Sequence, residues 1–324
     1  MTRDLGTRPN AAAWIAPLGV LTPAIPWLIA VALLAFARPV AAAGVEILLS
    51  EDSGAYREMA ELLRQEFSER IRVTLAANES TSGDRRGIEE PDLVIAVGTR
   101  ALTVVLAATK TPVIATLVPR ASFENAVRSA PRNARKTSAL FIDQPFSRQL
   151  NLVKLVLPGR IRAGVIFSAE LEESMKLLRT AALEEKFTVV AESIGSQQDL
   201  YAGLVRVLGE SDFLLAVPDP NLYNAATIHN ILLTTFRVKQ PVFGFSPAYV
   251  RAGALAGLYS TPPQLASQTG EIARRVLAGG AMPSPQYPRQ FTVGVNPTVT
   301  RALGLDVLDG RVLASKLAAM EQAR

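Results

Sequence analysis

Residue types that favour catalysis are scarce in this 324-residue chain. Cysteine is absent, and the one histidine, His229, sits among Ile, Leu and Thr in a helical pattern. Ser-His and Cys-His triads therefore lack components, and a Cys/His zinc cluster has no ligands. The lack of cysteine also excludes a disulfide framework and an acylated lipoprotein cysteine. No Walker A motif and no G-x-G-x-x-G between a first strand and helix occurs. Glu89-Glu90 and Glu184-Glu185 lie in polar stretches and read as solvated faces. What remains is binding chemistry. Polar residues recur directly after apolar runs, with aromatic residues close by: Ser53 and Tyr56, Thr99 and Arg100, Arg120, Ser168, Asp219 and Asn221, Phe245 and Ser246, and Tyr259.

Each of these types has a binding use and a plainer one. Arg100 and Arg120 offer planar, bidentate donors to a carboxylate, or are solvated surface. Asp219, between Pro218 and Pro220, can receive an ammonium or hydroxyl, or simply start a turn. Ser53, Thr99, Ser168 and Asn221 suit helix N-caps, and a capped terminus also presents free N–H groups to an anion. Gly98 lets backbone approach a ligand, or serves a strand-to-helix turn. Tyr56, Phe245 and Tyr259 would supply apolar walls, as small-molecule pockets require.

The elements that must position these residues follow from hydropathy. Short apolar runs at 45–50, 71–75, 93–97, 113–117, 139–142, 163–167, 188–192, 213–217 and 241–245 alternate with helical periodicity. Several runs are continuously apolar, as strands covered on both faces are. Tyr56, Met59, Ala60, Leu63 and Phe67 form one helical stripe; Leu171, Met175, Leu178, Ala182 and Leu183 form another. This alternation predicts an α/β fold with parallel sheets. A polar, Arg-rich stretch at 121–136, broken by Pro131, offers a division, after which the alternation restarts. A proline-rich linker at 283–288 precedes a short strand at 291–295 and a terminal helix.

The amino terminus reads as a targeting segment. Arg3 and Arg8 precede an apolar stretch, densest at 27–37, and Ala41 and Ala43 suit signal-peptidase cleavage before Gly44. The alternative is an uncleaved anchor, since 11–37 is long enough to span a bilayer although Pro17, Pro23 and Pro26 interrupt it. Either way the body is expected outside the cytoplasm, in the periplasm or otherwise exported. The net charge of +5 is mild and its Lys and Arg are scattered, so no nucleic-acid partner is expected.

The order of these features resembles the ABC-transporter substrate-binding proteins, the family that includes tryptophan- and tyrosine-type carriers. The resemblance rests on Pro91-Asp92-Leu93-Val94-Ile95-Ala96-Val97-Gly98-Thr99, on Pro112-Val113-Ile114, and on 152–158 before Val165-Ile166-Phe167. It continues through 212–280, with Pro218-Asp219-Pro220-Asn221 and Pro241-Val242-Phe243-Gly244-Phe245-Ser246, to Asn296 and Ala302-Leu303-Gly304-Leu305. It implies a type I periplasmic-binding-protein-like fold, two doubly wound parallel-sheet lobes joined by a hinge with three crossings. Lobe 1 would be 44–142 plus 258–288 and lobe 2 would be 143–257 plus 289–324. Asp143, at the first crossing, then joins the cleft residues.

The resemblance further implies a non-enzymatic, monomeric carrier without cofactor or metal. Its partners would be a small polar or amphipathic organic ligand and an ABC permease in the inner membrane. The chain departs from the family pattern at Val118-Pro119-Arg120-Ala121-Ser122-Phe123 and at Ser168-Ala169. An aromatic amino acid is therefore not carried over as the ligand; an amino acid, an anion or another small amphiphile stays open. A membrane-tethered sensory protein of the same fold and an exported α/β hydrolase are the competing readings.

Overall fold

The computed structural model describes residues 44–67, 70–76, 90–131 and 136–323. The signal or anchor reading of 1–43 lies outside the described residues. No helix among them is long and apolar enough to cross a membrane.

The first sheet contains β1 (Gly44–Leu49), β2 (Arg70–Leu75), β3 (Leu93–Val97), β4 (Val113–Val118) and β5 (Thr137–Phe141). They pair in parallel in the order β2-β1-β3-β4-β5. Among the described residues three helices connect them: α1 (Gly54–Glu66), α2 (Thr99–Ala108) and α3 (Arg120–Ser129). Every residue of β3 is buried, because its two faces meet different helices. Leu93, Ile95 and Val97 pack in one cluster with Met59 and Leu63 of α1. Val94 and Ala96 pack in another with Leu102 and Val105 of α2 and Phe123 of α3. The two-residue period of a strand sends alternate side chains to opposite faces, so a strand covered on both must be apolar throughout.

After α4 (Phe146–Val156) a second sheet begins. It contains β6 (Arg162–Phe167), β7 (Thr188–Ser193), β8 (Phe213–Leu215), β9 (Val242–Gly244), β10 (Ala256–Tyr259) and β11 (Thr292–Val295). Between them run α5 (Glu172–Glu184), α6 (Leu200–Glu210), α7 (Ile228–Arg237), α8 (Pro247–Ala252) and α9 (Pro262–Leu277). The order is β11-β10-β9-β8-β6-β7, with β11 antiparallel to β10. Phe213 anchors this core, edge-on to Phe187 at 6.0 Å and to Phe243 at 5.6 Å. The chain closes with α10 (Pro297–Ala302) and α11 (Gly310–Gln322).

Apart from β11, both sheets follow one doubly wound order, with the third strand laid beside the first. Not every helix covers the sheet it follows. α9 leaves the second sheet, and its Leu265, Ala266 and Ile272 join the core beneath the first. The return segment then bonds to the edge of β5, where Gln286 N–H donates to Ala139 and Gln286 C=O accepts from Phe141.

The two-sheet α/β architecture is as expected from the sequence, and several details differ. The 121–136 stretch is no division: α3 occupies much of it and β5 joins the first sheet. β10 adds a strand that is not among the apolar runs of the sequence. Leu258 and Tyr259 pair with Val293 and Thr292 of β11, so the chain leaves the second sheet after Tyr259 and not at residue 258. Leu183 is 80% exposed, whereas Leu171, Met175, Leu178 and Ala182 are buried.

Candidate functional site

In a doubly wound sheet the crevice opens beyond the strand carboxyl ends, where the chain leaves neighbouring strands in opposite directions. Here that point lies between β1 and β3 in the first sheet and between β6 and β8 in the second. A crevice of about 390 Å³ lies there, lined from both sheets. The first contributes Tyr56 of α1, Thr99 of α2, Leu117, Pro119 and Ser122. The second contributes Pro218, Asp219, Pro220, Tyr223 and Asn224 of the loop after β8, together with Phe245, Ser246 and Leu258. Ile142, Asp143 and Gln144, on the first passage between the sheets, complete it. The volume falls within the range of small-molecule pockets.

Local sequence explains how each wall is held. Gly98 has φ +91, and a Cβ there would stand 2.4 Å from Ser50 Oγ and 2.6 Å from Tyr56 Cε1. Only glycine fits, and its absent side chain is the space that Tyr56 occupies. Ser50 Oγ accepts from Ala101 N–H at 3.0 Å, so α2 is capped from the neighbouring strand and not by Thr99. Leu117 has φ +53 and sits where the β4–β5 register shifts. Such a bulge re-aims a side chain, and a branched residue in the left-handed region stores strain.

In the second sheet, Asp219 is fully buried. Its Oδ2 accepts from Ser168 N–H at 2.6 Å and its Oδ1 from Asn221 N–H at 3.0 Å. This carboxylate therefore ties the ends of β6 and β8 together. Phe245 stacks on Tyr249 at 4.5 Å and meets the Tyr223 ring edge-on at 6.2 Å.

Asp143 differs from Asp219. It keeps surface toward the crevice, and its Oδ2 accepts from Arg120 N–H at 2.6 Å, capping α3. Withdrawal of the carboxyl from water raises its pKa to about 6, against the opposing pull of the backbone N–H groups of Arg120 and Asp143.

Of the residues singled out from sequence, Tyr56, Thr99, Asp143, Asp219, Phe245 and Ser246 line the crevice, and the others do not. Ser53, just before α1, and Arg100, on α2, are exposed. Arg120 turns its guanidinium to Glu124 at 2.7 Å and to the Tyr287 hydroxyl at 3.1 Å. Ser168 is buried behind Asp219, and Asn221 Nδ2 donates to Ser168 Oγ and Glu170. The Tyr259 hydroxyl lies 3.2 Å from where a Cβ of Gly294 would stand, on the β11 side. Sequence reasoning missed Leu117, Ser122, Gln144 and Leu258. Gln144 follows Asp143 directly, but the bulge carries no glycine or proline to mark it, and β10 is only four residues long.

Residues 86–316 match the family described as ABC transporter substrate binding protein. The chain belongs to this family. It is a family of binding proteins, not of enzymes. Comparison with curated protein sequences gave no match. Among solved structures, a conserved domain protein from Vibrio cholerae is 20% identical with a TM-score of 0.61, covering 85% of this chain and 98% of that one. A Streptococcus pneumoniae ABC domain in complex with L-Trp is 17% identical with a TM-score of 0.60, covering 83% and 96%. A ligand-free, open substrate-binding protein with adhesive properties from Clostridium difficile is 20% identical with a TM-score of 0.63, covering 82% and 96%. These likenesses bear on the fold.

In this substrate-binding protein the three passages between sheets are tied to one another. Gln144 Nε2, on the first, donates to Ser260 Oγ on the second at 2.9 Å. Ser260 Oγ donates to the Gln290 carbonyl on the third at 2.6 Å. Buried Arg148 donates to Gln144 Oε1 and to the Pro288 carbonyl, at 2.6 and 2.9 Å. It also reaches Glu321 Oε2 of α11 at 2.9 Å and lies over the Phe291 ring at 4.2 Å. Gln144 thus belongs to both the crevice lining and the hinge.

A larger groove, about 600 Å³, lies at the amino ends of β6, β8 and β9. Its Arg160 and Arg162 are paired with Asp212, whose carboxyl, despite burial, is held below the usual range by Arg162 and Ile161. It stands at the wrong end of the strands for the crevice rule.

Proposed function

We propose that this chain is an exported solute-binding protein that captures a small organic molecule between its two sheets and presents it, as a monomer, to an ABC permease. The observation that carries this reading is a single crevice lined by the strand carboxyl ends of both sheets and by a passage between them. Closure about the Gln144–Ser260–Gln290 network would bring the Leu117 and Phe245 walls together, the hinge mode expected of such a fold. The L-Trp complex and the open, ligand-free relative among the structural neighbours support this class of function. An amino acid is one candidate ligand under this reading.

Native mass spectrometry of the full chain, incubated with a bacterial small-molecule extract, tests it without presuming a ligand class. A single small organic adduct that is lost in Phe245→Ala is expected. No adduct, or an adduct indifferent to that substitution, would overturn the reading.

A further inference from the structure

We infer that the crevice selects an organic cation with an apolar body, an amine or quaternary ammonium lacking a carboxylate, and that Asp143 receives its charge. This rests on the crevice reading above. Among the described residues no Lys, Arg or His lines the crevice, while two carboxylates, Asp143 and Asp219, do. The nearby cation that sequence suggested for an anionic group, Arg120, is committed to Glu124 and Tyr287. A ligand carboxylate would therefore meet two acids and no compensating side chain, and unpaired like charges in a desolvated site are costly. Three aromatic rings, Tyr56, Tyr223 and Phe245, face the same space. Aromatic faces attract alkylammonium groups, most strongly where water is excluded.

The two acids have different parts. Both oxygens of Asp219 are taken by backbone N–H groups, so it contributes field and shape. Asp143 keeps surface to the crevice with Oδ2 held by Arg120 N–H. The charged groups around it are Arg120 and Glu124 on α3, with Tyr287 from the return segment and Asp219 and Tyr223 across the crevice. With its pKa raised to about 6 by withdrawal from water, Asp143 is ionised at pH 7.5 and mostly protonated at pH 5. A bound ammonium favours the ionised form, so binding must expel a proton at low pH and weakens there.

The test is calorimetric titration of the full chain with phenethylamine, phenethyltrimethylammonium, L-phenylalanine, 3-phenylpropionate and 2-phenylethanol, at pH 7.5 and pH 5. The two cations are expected to bind at least about ten-fold more tightly than L-phenylalanine, with 3-phenylpropionate weakest. Cation affinity should fall about ten-fold between pH 7.5 and pH 5, following the ionised fraction of Asp143. Asp143→Asn retains an acceptor for Arg120 N–H. It should weaken the cations about ten-fold at pH 7.5 and flatten their pH dependence, leaving the alcohol unchanged.

The inference is overturned if no cation binds, if the acid or the amino acid matches the cations, or if Asp143→Asn leaves them unaffected. Phe245→Ala separates the two levels. Carboxylate binding that this substitution abolishes sinks the cation preference and leaves the crevice in place. Binding indifferent to it removes the crevice reading as well.

Discussion

Gly98 and Leu117 both place left-handed backbone at the crevice rim, and substitution should separate their purposes. At Gly98 a methyl group collides with Ser50 and Tyr56 as well as straining the backbone. Gly98→Ala should therefore cost about 1–3 kcal/mol in urea unfolding and displace Tyr56 from the crevice. At Leu117 the strain is already present, so in Leu117→Gly its relief is offset by chain entropy and by loss of the side chain's partial packing against the core. Stability should change by less than about 1 kcal/mol, while affinity for the captured molecule drops several-fold. A large stability loss on Leu117→Gly would make that side chain a core residue and not a wall. Gly98 was legible in the sequence because a glycine after an apolar run marks a turn. Leu117 was not, since Thr116-Leu117-Val118 reads as uninterrupted strand.

At the scale of elements, the strands and most helices were readable because each has a local pattern. β10 and the placement of α9 were not. β10 is four residues long, holds Gly257, and takes its identity from pairing with β11, which lies more than thirty residues away. Nothing in the α9 sequence says which sheet its apolar stripe covers. Arg148 was invisible for a similar reason: its partners come from two passages and from the last helix. It should nonetheless matter most to the hinge. Arg148→Met removes a guanidinium whose side chain is 7% exposed and strands Glu321, 35% exposed. The partial exposure of Glu321 discounts the usual cost of breaking a buried pair, leaving a loss of about 2 kcal/mol in thermal unfolding. Glu321→Gln, which keeps an acceptor, should lose less. Equal losses would mean that the ion pair, and not the network of passages, is what Arg148 supplies.

For the molecule as a whole, the sequence conveyed the fold class and the family more fully than the site. Loops beyond strand ends were identifiable by position, and Tyr56, Thr99, Asp219, Phe245 and Ser246 from them line the crevice. Side-chain direction was not identifiable, and this is why Arg120 was taken for a ligand anchor when it faces Glu124 and Tyr287. In the proposed function one small molecule engages both sheets at once. Hydrogen exchange of the full chain, with and without a bacterial small-molecule extract, tests this most directly, because closure over a ligand slows local opening on both sides of the crevice. Simultaneous protection of 98–101 and 117–123 from the first sheet and of 218–224 and 245–250 from the second is expected. Protection confined to one sheet, or falling on 160–162 and 238–241 at the opposite groove, would contradict it.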